Sequence, residues 1–277
     1  MIGILLVSIG SFFDEISILI GKTAVQNKKE TIYSMAFLSL IWGTLWFLVI
    51  ILVRGQFIFS FASLPTLILR TLVEIAIVYV STIAVIRSDR STFGFVRTGT
   101  IPLLLIADIW LGYTLTLPQV FGIVVLVLAL LVAFLNHGIE KDGLKFVLLA
   151  TIFPVVTISL FKYDITHFNS VEAEQLITHV VLLFYTFIMA RRVGHENPFK
   201  MLTTRIFFVQ SFAAGVGGVL VSFAYIFAPA STITAAKRAV SVLWAIIAGN
   251  LYFEEKHILL KIMLCIFVAF GIALLAT

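Results

Sequence analysis

Ten apolar runs follow one another along the chain, at residues 2–21, 31–53, 61–86, 91–112, 117–135, 144–161, 171–190, 206–227, 231–253 and 258–276, with only short polar breaks between them. A helix that crosses a bilayer needs about 20 mainly apolar residues, and the hydrocarbon core admits no spanning backbone except helices and closed barrels. Runs of this length predict spanning helices, and ten would use about 200 residues of the 277. No separate soluble domain fits in what remains. Composition agrees: 61% of residues are hydrophobic and 12% charged, against about 45–50% and about 25% in soluble domains. The breaks fall on turn and helix-end residues, as in Gln26-Asn27-Lys28-Lys29, Asn136-His137-Gly138 and Gly194-His195-Glu196-Asn197-Pro198. The first run has no basic residues before it and no small-residue cleavage pattern, and it carries Asp14 and Glu15 in its middle, so a retained helix is expected rather than a signal peptide. The sixth run is short and interrupted by Pro154.

The net charge of +5 would suggest a nucleic-acid partner in a soluble protein, but loop placement explains it and no nucleic-acid binding is expected. Loops after odd-numbered runs hold thirteen cations, namely Lys22, Lys28, Lys29, Arg87, Arg90, Lys141, Lys145, Arg191, Arg192, Lys200, Arg205, Lys256 and Lys261; those after even-numbered runs hold Arg54 and Lys162. The positive-inside rule then makes the odd loops cytoplasmic and leaves both termini on the far side of a multi-pass protein of the cell (inner) membrane. Cys265 is the single cysteine and lies inside an apolar run, which excludes an intrachain disulfide or Cys-based metal site. The five histidines lack metal-binding spacing, and neither Gly-x-Ser-x-Gly nor a phosphate-cradling loop occurs. No cofactor, no metal and no enzymatic activity are expected.

The sequence also repeats. Aligning Ser91-Thr92 with Ser231-Thr232, with a slip of one residue, pairs Arg97 with Arg238 and Gly112-Tyr113 with Phe253-Glu254, so the fourth run corresponds to the ninth. The chain divides into two five-helix halves, 1–138 and 139–277. Five is odd, so the second half must be inserted upside down relative to the first. The expected fold class is therefore an all-α membrane protein of ten transmembrane helices in two inverted five-helix repeats, an architecture that places a substrate site near the midplane between the halves.

Across essentially its whole length the chain resembles the EamA-type members of the drug/metabolite transporter superfamily. In that family the fourth and ninth helices typically end in a Gly-Glu pair followed by a short polar turn and a Gly-containing last helix. Here the first copy reads Leu111-Gly112-Tyr113-Thr114-Leu115-Thr116-Leu117-Pro118-Gln119-Val120-Phe121-Gly122, with Tyr113 in place of the Glu; the second reads Tyr252-Phe253-Glu254-Glu255, without the Gly. The first half also resembles the half-length small multidrug resistance proteins, whose first helix carries an embedded Glu eight residues before a Lys. Asp14 stands eight before Lys22. Many EamA-type chains begin with a basic segment and keep their termini in the cytoplasm, whereas the loop cations here give the reverse.

An ionised carboxylate inside a bilayer costs about 2.5–3.5 kcal/mol on insertion scales, so acids in mid-span mark candidate sites. At helical spacing Gly3, Gly10, Asp14, Ser17 and Gly21 share one face of the first helix, suited to close packing, while Ser8, Ser11, Glu15 and Lys22 share another, suited to a polar cavity. Asp14 and Glu15 are candidates for binding substrate or a proton, or for pairing with a cation on another helix. Arg70 and Glu74, four apart, are a candidate structural ion pair. Arg97, Thr100 and Asp108 line one face of the fourth helix, where Arg97 and Asp108 are too far apart to touch and each needs a partner elsewhere. Lys237, Ser241 and Trp244 share a face of the ninth, with Arg238 beside them. Phe95 occupies the segment where the short relatives place a substrate-contacting aromatic. Asp164, Glu172 and Glu174 are expected to be solvated in a short loop rather than to form a cation site, and Tyr79 and Tyr225 to be members of the interfacial belt or pocket contacts.

Cationic walls on the fourth and ninth helices facing acids on the first would match an amino acid or an organic anion. The expected function is a secondary transporter, exporting or exchanging a small metabolite by alternating access, with the lipid bilayer and a small-molecule substrate as partners and the proton as candidate coupling ion. The alternatives are an integral-membrane enzyme acting on a lipid-linked substrate and a non-transporting scaffold.

Overall fold

The computed structural model describes residues 1–87, 96–97, 99–135, 144–253 and 258–275. Among these the regular structure is helical throughout. Among the described residues the longer helices fall within or across the apolar runs: α1 (Ile2–Gln26), α2 (Ile32–Arg54), α3 (Leu64–Arg87), α4 (Thr100–Trp110, the second half of its run), α5 (Leu117–Leu135), α6 (Leu144–His167), α7 (Val171–Arg192), α8 (Arg205–Ala224), α9 (Ala230–Phe253) and α10 (Ile258–Leu275). A 3-10 turn, Phe61–Ser63, leads into α3, and a single helical turn, Pro198–Met201, separates α7 from α8. Among the described residues six stretches are long and apolar enough to cross a membrane: α1, α2, Phe61–Ser81, α6, α7 and α8.

Local chemistry sets several of the boundaries. The Thr31 hydroxyl accepts from the Ser34 amide at the start of α2, and Gly55 closes that helix with a left-handed φ of 64°. Ser170 caps α7 by accepting from the Ala173 amide at 3.3 Å. The sixth run is longer than its apolar core suggests, because the helix continues past residue 161 to His167 and carries Pro154 inside it. Proline removes one helix donor; nearby, the Thr100 hydroxyl donates to the Thr151 carbonyl at 3.1 Å and ties α4 to α6 at this point.

Outward faces are apolar: Leu52 is 71% exposed, Leu72 60% and Ile106 64%. Polar side chains such as Ser11, Thr100, Thr186, Ser211 and Ser231 are buried within the bundle. This distribution suits a lipid surround, where the hydrophobic effect gives helices no reason to associate and close packing and interhelical hydrogen bonds must do so.

The principal packing partners are α1 with α8, α3 with α6, α2 with α7 and α8, and α5 with α10; α4 lies against α6 and α9, and α9 also packs on α1. The small-residue face expected on α1 is the face buried against α8. A Cβ on Gly10 would stand 3.0 Å from the Gly217 carbonyl oxygen, and one on Gly217 would stand 2.8 Å from the Gly10 carbonyl oxygen and collide with the Asp14 carboxylate. A similar approach joins α5 to α10, where a Cβ on Gly122 would reach the Gly271 carbonyl oxygen at 3.0 Å.

Candidate functional site

Asp14 projects from the middle of α1 toward α9, and its Oδ2 forms an ion pair with Lys237 Nζ at 2.6 Å. The two side chains are 18% and 29% exposed, so the pair borders open space rather than lying sealed in the core. Gly217 of α8 makes room for the Asp14 carboxylate from the opposite side. Arg238 follows Lys237 and lies within electrostatic range of Asp14, Glu15 and Tyr225. Arg97, just before α4, is within electrostatic range of Arg238. One face of the site is aromatic: the Phe12 and Trp244 rings lie 4.6 Å apart. Ser241, half-buried, stands between Lys237 and Trp244 along the same helix. Phe95 lies outside the described residues.

Asp108 holds α9 in place. Its carboxylate accepts from the Ala230 and Ser231 amides at 3.3 and 2.7 Å, a negative charge set on the positive end of the helix. Asp108 thus finds its partners on another helix, as its spacing from Arg97 required. Lys162 is not a loop cation but a buried residue of α6; it donates to the Tyr225 carbonyl at 2.6 Å and lies within electrostatic range of Asp108. Tyr225 is also buried, with its hydroxyl 3.1 Å from Thr234 Oγ1, and does not belong to an interfacial belt.

Two further expectations are corrected. The ion pair of Arg70 is not with Glu74 one turn along α3 but with Glu174 of α7, at 2.8 Å; the second guanidinium nitrogen donates to Gln175 Oε1 at 2.7 Å. Glu74 remains within electrostatic range of Arg70 and shares a side-chain hydrogen bond with Thr157. Arg70 also lies over the Phe161 ring, 4.5 Å from its centroid. Asp164, Glu172 and Glu174 are not solvated: all three are buried, with Glu172 paired to Arg54 at 3.1 Å and Asp164 accepting from the Thr66 hydroxyl at 2.6 Å. The charges of α3 and α7 face each other across the helix interface, where an unpaired ion would be most costly.

One constellation gave no signal in the sequence. Between α1 and α2, Glu30 is buried and its Oε1 accepts from Gln210 Nε2 of α8 at 3.0 Å. Beside it Glu196 Oε2 accepts from the Thr31 amide and hydroxyl at 2.9 and 2.8 Å. Burial pushes the Glu30 carboxyl up to about 8; the Gln210 hydrogen bond opposes this and the Glu196 charge adds to it. A cavity of about 360 Å³ opens here, lined by Lys28, Glu30, Thr31, Tyr33 and Glu196 among others.

Fold and site together define an all-helical membrane protein with ionised groups paired across its interior helix contacts. No family model and no curated protein matches the chain. A solved structure described only as "Crystal structure of protein" superposes with a TM-score of 0.67 at 12% identity, covering 96% of this chain and 95% of its own. That likeness shows a fold shared along nearly the whole length.

Proposed function

We propose that this protein is a secondary transporter that exports or exchanges a small metabolite carrying a negative charge, an amino acid or an organic anion. It works by alternating access around the Asp14–Lys237 site. The observation that carries this reading is that pair itself, partly open to space in mid-helix and flanked by Arg238. Lys237 and Arg238 lie against Asp14 and Glu15, and a ligand carboxylate would compete with those acids for the two cations. Its amino group, in a zwitterion, would compete for Asp14 while its carboxylate competes for Lys237. The Phe12–Trp244 pair supplies an apolar wall for the rest of the ligand.

The packing supports ten spans arranged as two inverted repeats, 1–138 and 139–277. Exchanging α1–α5 with α6–α10 turns the α1–α8 contact into α6–α3 and α1–α9 into α6–α4, and returns α2–α7, α4–α9 and α5–α10 to themselves. A pseudo-two-fold axis relating the two repeats would produce this pattern. The resemblance to EamA-type transporters points the same way, and the loop cations support non-cytoplasmic termini in the cell membrane.

The test is transport by purified protein in liposomes, with radiolabelled amino acids and dicarboxylates driven by their own gradients. Uptake is expected for the wild type, and a loss of at least about tenfold for Asp14→Asn and Lys237→Gln, equivalent to about 1.4 kcal/mol of binding or barrier free energy. Absence of movement across the panel, or movement that both variants leave untouched, overturns the assignment.

A further inference from the structure

A second buried ionic cluster, away from the Asp14–Lys237 site, does not balance its charge. It lies where the end of α6, the start of α7 and the first turns of α3 meet. Asp164 and Glu174 are both completely buried, and their carboxyl groups are within hydrogen-bonding reach of each other. Each has been given donors: Thr66 Oγ1 to Asp164 Oδ1 at 2.6 Å, Arg70 Nη1 to Glu174 Oε1 at 2.8 Å, and Asn169 Nδ2 to Glu174 Oε2 at 2.6 Å. Asp164 Oδ2 is buried and has no protein donor among the described residues. Two ionised carboxylates cannot hydrogen-bond to one another, because neither has a proton to donate.

Among the described residues the surrounding charges do not supply the missing cation. From α3 come Arg70 and Glu74; from α7, Glu172 and His179; from α6, Lys162; from α2, Arg54; and from the α4–α5 connection, Tyr113, which lies within range of Asp164. Arg54 is engaged by Glu172, and Lys162 points at the Tyr225 carbonyl and Asp108. Ser222 of α8 meets the cluster only through Gln175, whose amide donates to it at 2.8 Å. One guanidinium, Arg70, therefore faces Asp164 and Glu174, with Glu74 beside it. Among the described residues no grouping of His, Cys, Asp and Glu could hold a metal ion. A proton is the cation that fits.

We propose that Asp164 and Glu174 hold a single proton between them, and that this pair, not Asp14, binds the coupling proton of the transport cycle. The second half of the proposal rests on the transporter reading; the first does not. Release of the proton to water leaves two carboxylates against one guanidinium, so the end of α6 and the start of α7 repel each other. The contacts strained by that repulsion, Arg70 on Phe161 and Gln175 on Ser222, join α3, α6, α7 and α8. A proton here thus controls how tightly that end of the bundle is closed.

The experiment is infrared difference spectroscopy of the purified protein at neutral pH, reading the C=O stretch of protonated carboxyl groups and its shift in deuterium oxide. The measurement is made in a Glu30→Gln background so that the buried Glu30 carboxyl does not contribute. An exchangeable band is expected that is lost in both Asp164→Asn and Glu174→Gln and kept in Asp14→Asn. The Asp164→Asn side chain can itself donate to Glu174, so this variant is expected to fold like the parent, as a thermal melt verifies. A band that survives either substitution overturns the shared proton. In liposomes containing a pH-sensitive dye, proton entry on adding the amino acid and dicarboxylate panel is expected for the wild type and absent for Asp164→Asn, which retains one-for-one exchange. A confirmed band without any transport would sustain the site and remove its role in coupling; a confirmed band with proton entry intact in Asp164→Asn would overturn that role directly.

Discussion

Glu30→Gln tests whether burial governs the polar knot between α1, α2 and α8. The wild-type carboxyl is raised from 4.5 to about 8, and at about 1.4 kcal/mol per pH unit this amounts to about 5 kcal/mol of differential stability. The sign follows from where the proton sits. Between about pH 4.5 and about pH 8 the folded protein keeps the Glu30 proton while the unfolded chain has released it, so the folded state binds more protons and stability falls as pH rises. The loss is complete above about pH 8, where both states are ionised. Glutamine keeps the size and the acceptor for Gln210 but cannot ionise. Its amide can also donate to Gln210 Oε1, a buried atom that lacks a hydrogen-bond partner in the wild type. Thermal unfolding of the detergent-solubilised protein, followed by tryptophan fluorescence over a pH series from about 5 to about 9, reads both effects. The wild-type midpoint should drop across the series while that of Glu30→Gln declines less, the two diverging most at the alkaline end. A wild-type midpoint that does not move, or a variant with the same slope, would refute the reasoning.

Two further substitutions test the packing. Gly217→Ala drives a methyl group into the Asp14 carboxylate and the Gly10 carbonyl, whereas a Cβ at Gly218 meets nothing within 4 Å; the first should cost about 1–3 kcal/mol and the second almost nothing, measured by thermal or denaturant unfolding. Arg70→Met strands the buried Glu174 carboxylate and should cost about 3–5 kcal/mol, most of it recovered in the Arg70→Met, Glu174→Gln double variant; a double variant no better than the single would show that the pair does not carry the effect.

Much of this was legible in the sequence because lipid simplifies the code. An apolar run long enough to span has one backbone solution, so the positions of the helices followed from hydropathy, and the glycine face of α1 followed from helical spacing. Pairing of Asp14 with a cation on another helix was one of the alternatives its position left open, and Lys237 lies at that place. What spacing could not reveal was which distant charge answers which. Arg70 and Glu74 sit one turn apart, but α3 faces α7, and the Glu174 carboxylate was reached through tertiary packing that no local pattern encodes. Asp164, Glu172 and Glu174 were misread because acids beside a break look like a loop. The signal that could have corrected this was Asn169-Ser170 followed by two acids, the usual opening of a helix. Lys162 reads as a loop cation because the hydropathy of α6 fades before the helix ends. The Glu30, Gln210 and Glu196 group draws on three separate stretches of chain, each unremarkable alone.

The pairing of α1 with α8 and of α3 with α6 has a consequence for how the protein is made. Each half keeps its tightest surface for the other, so the first helices to leave the ribosome wait in the membrane, glycine face uncovered and Asp14 without Lys237, until the last three are synthesised. Residues 1–138 expressed alone would hold that surface open indefinitely, a target for quality-control proteases. Supplying 139–277 as a separate chain should rescue it, since what the first half lacks is a neighbour and not a covalent link.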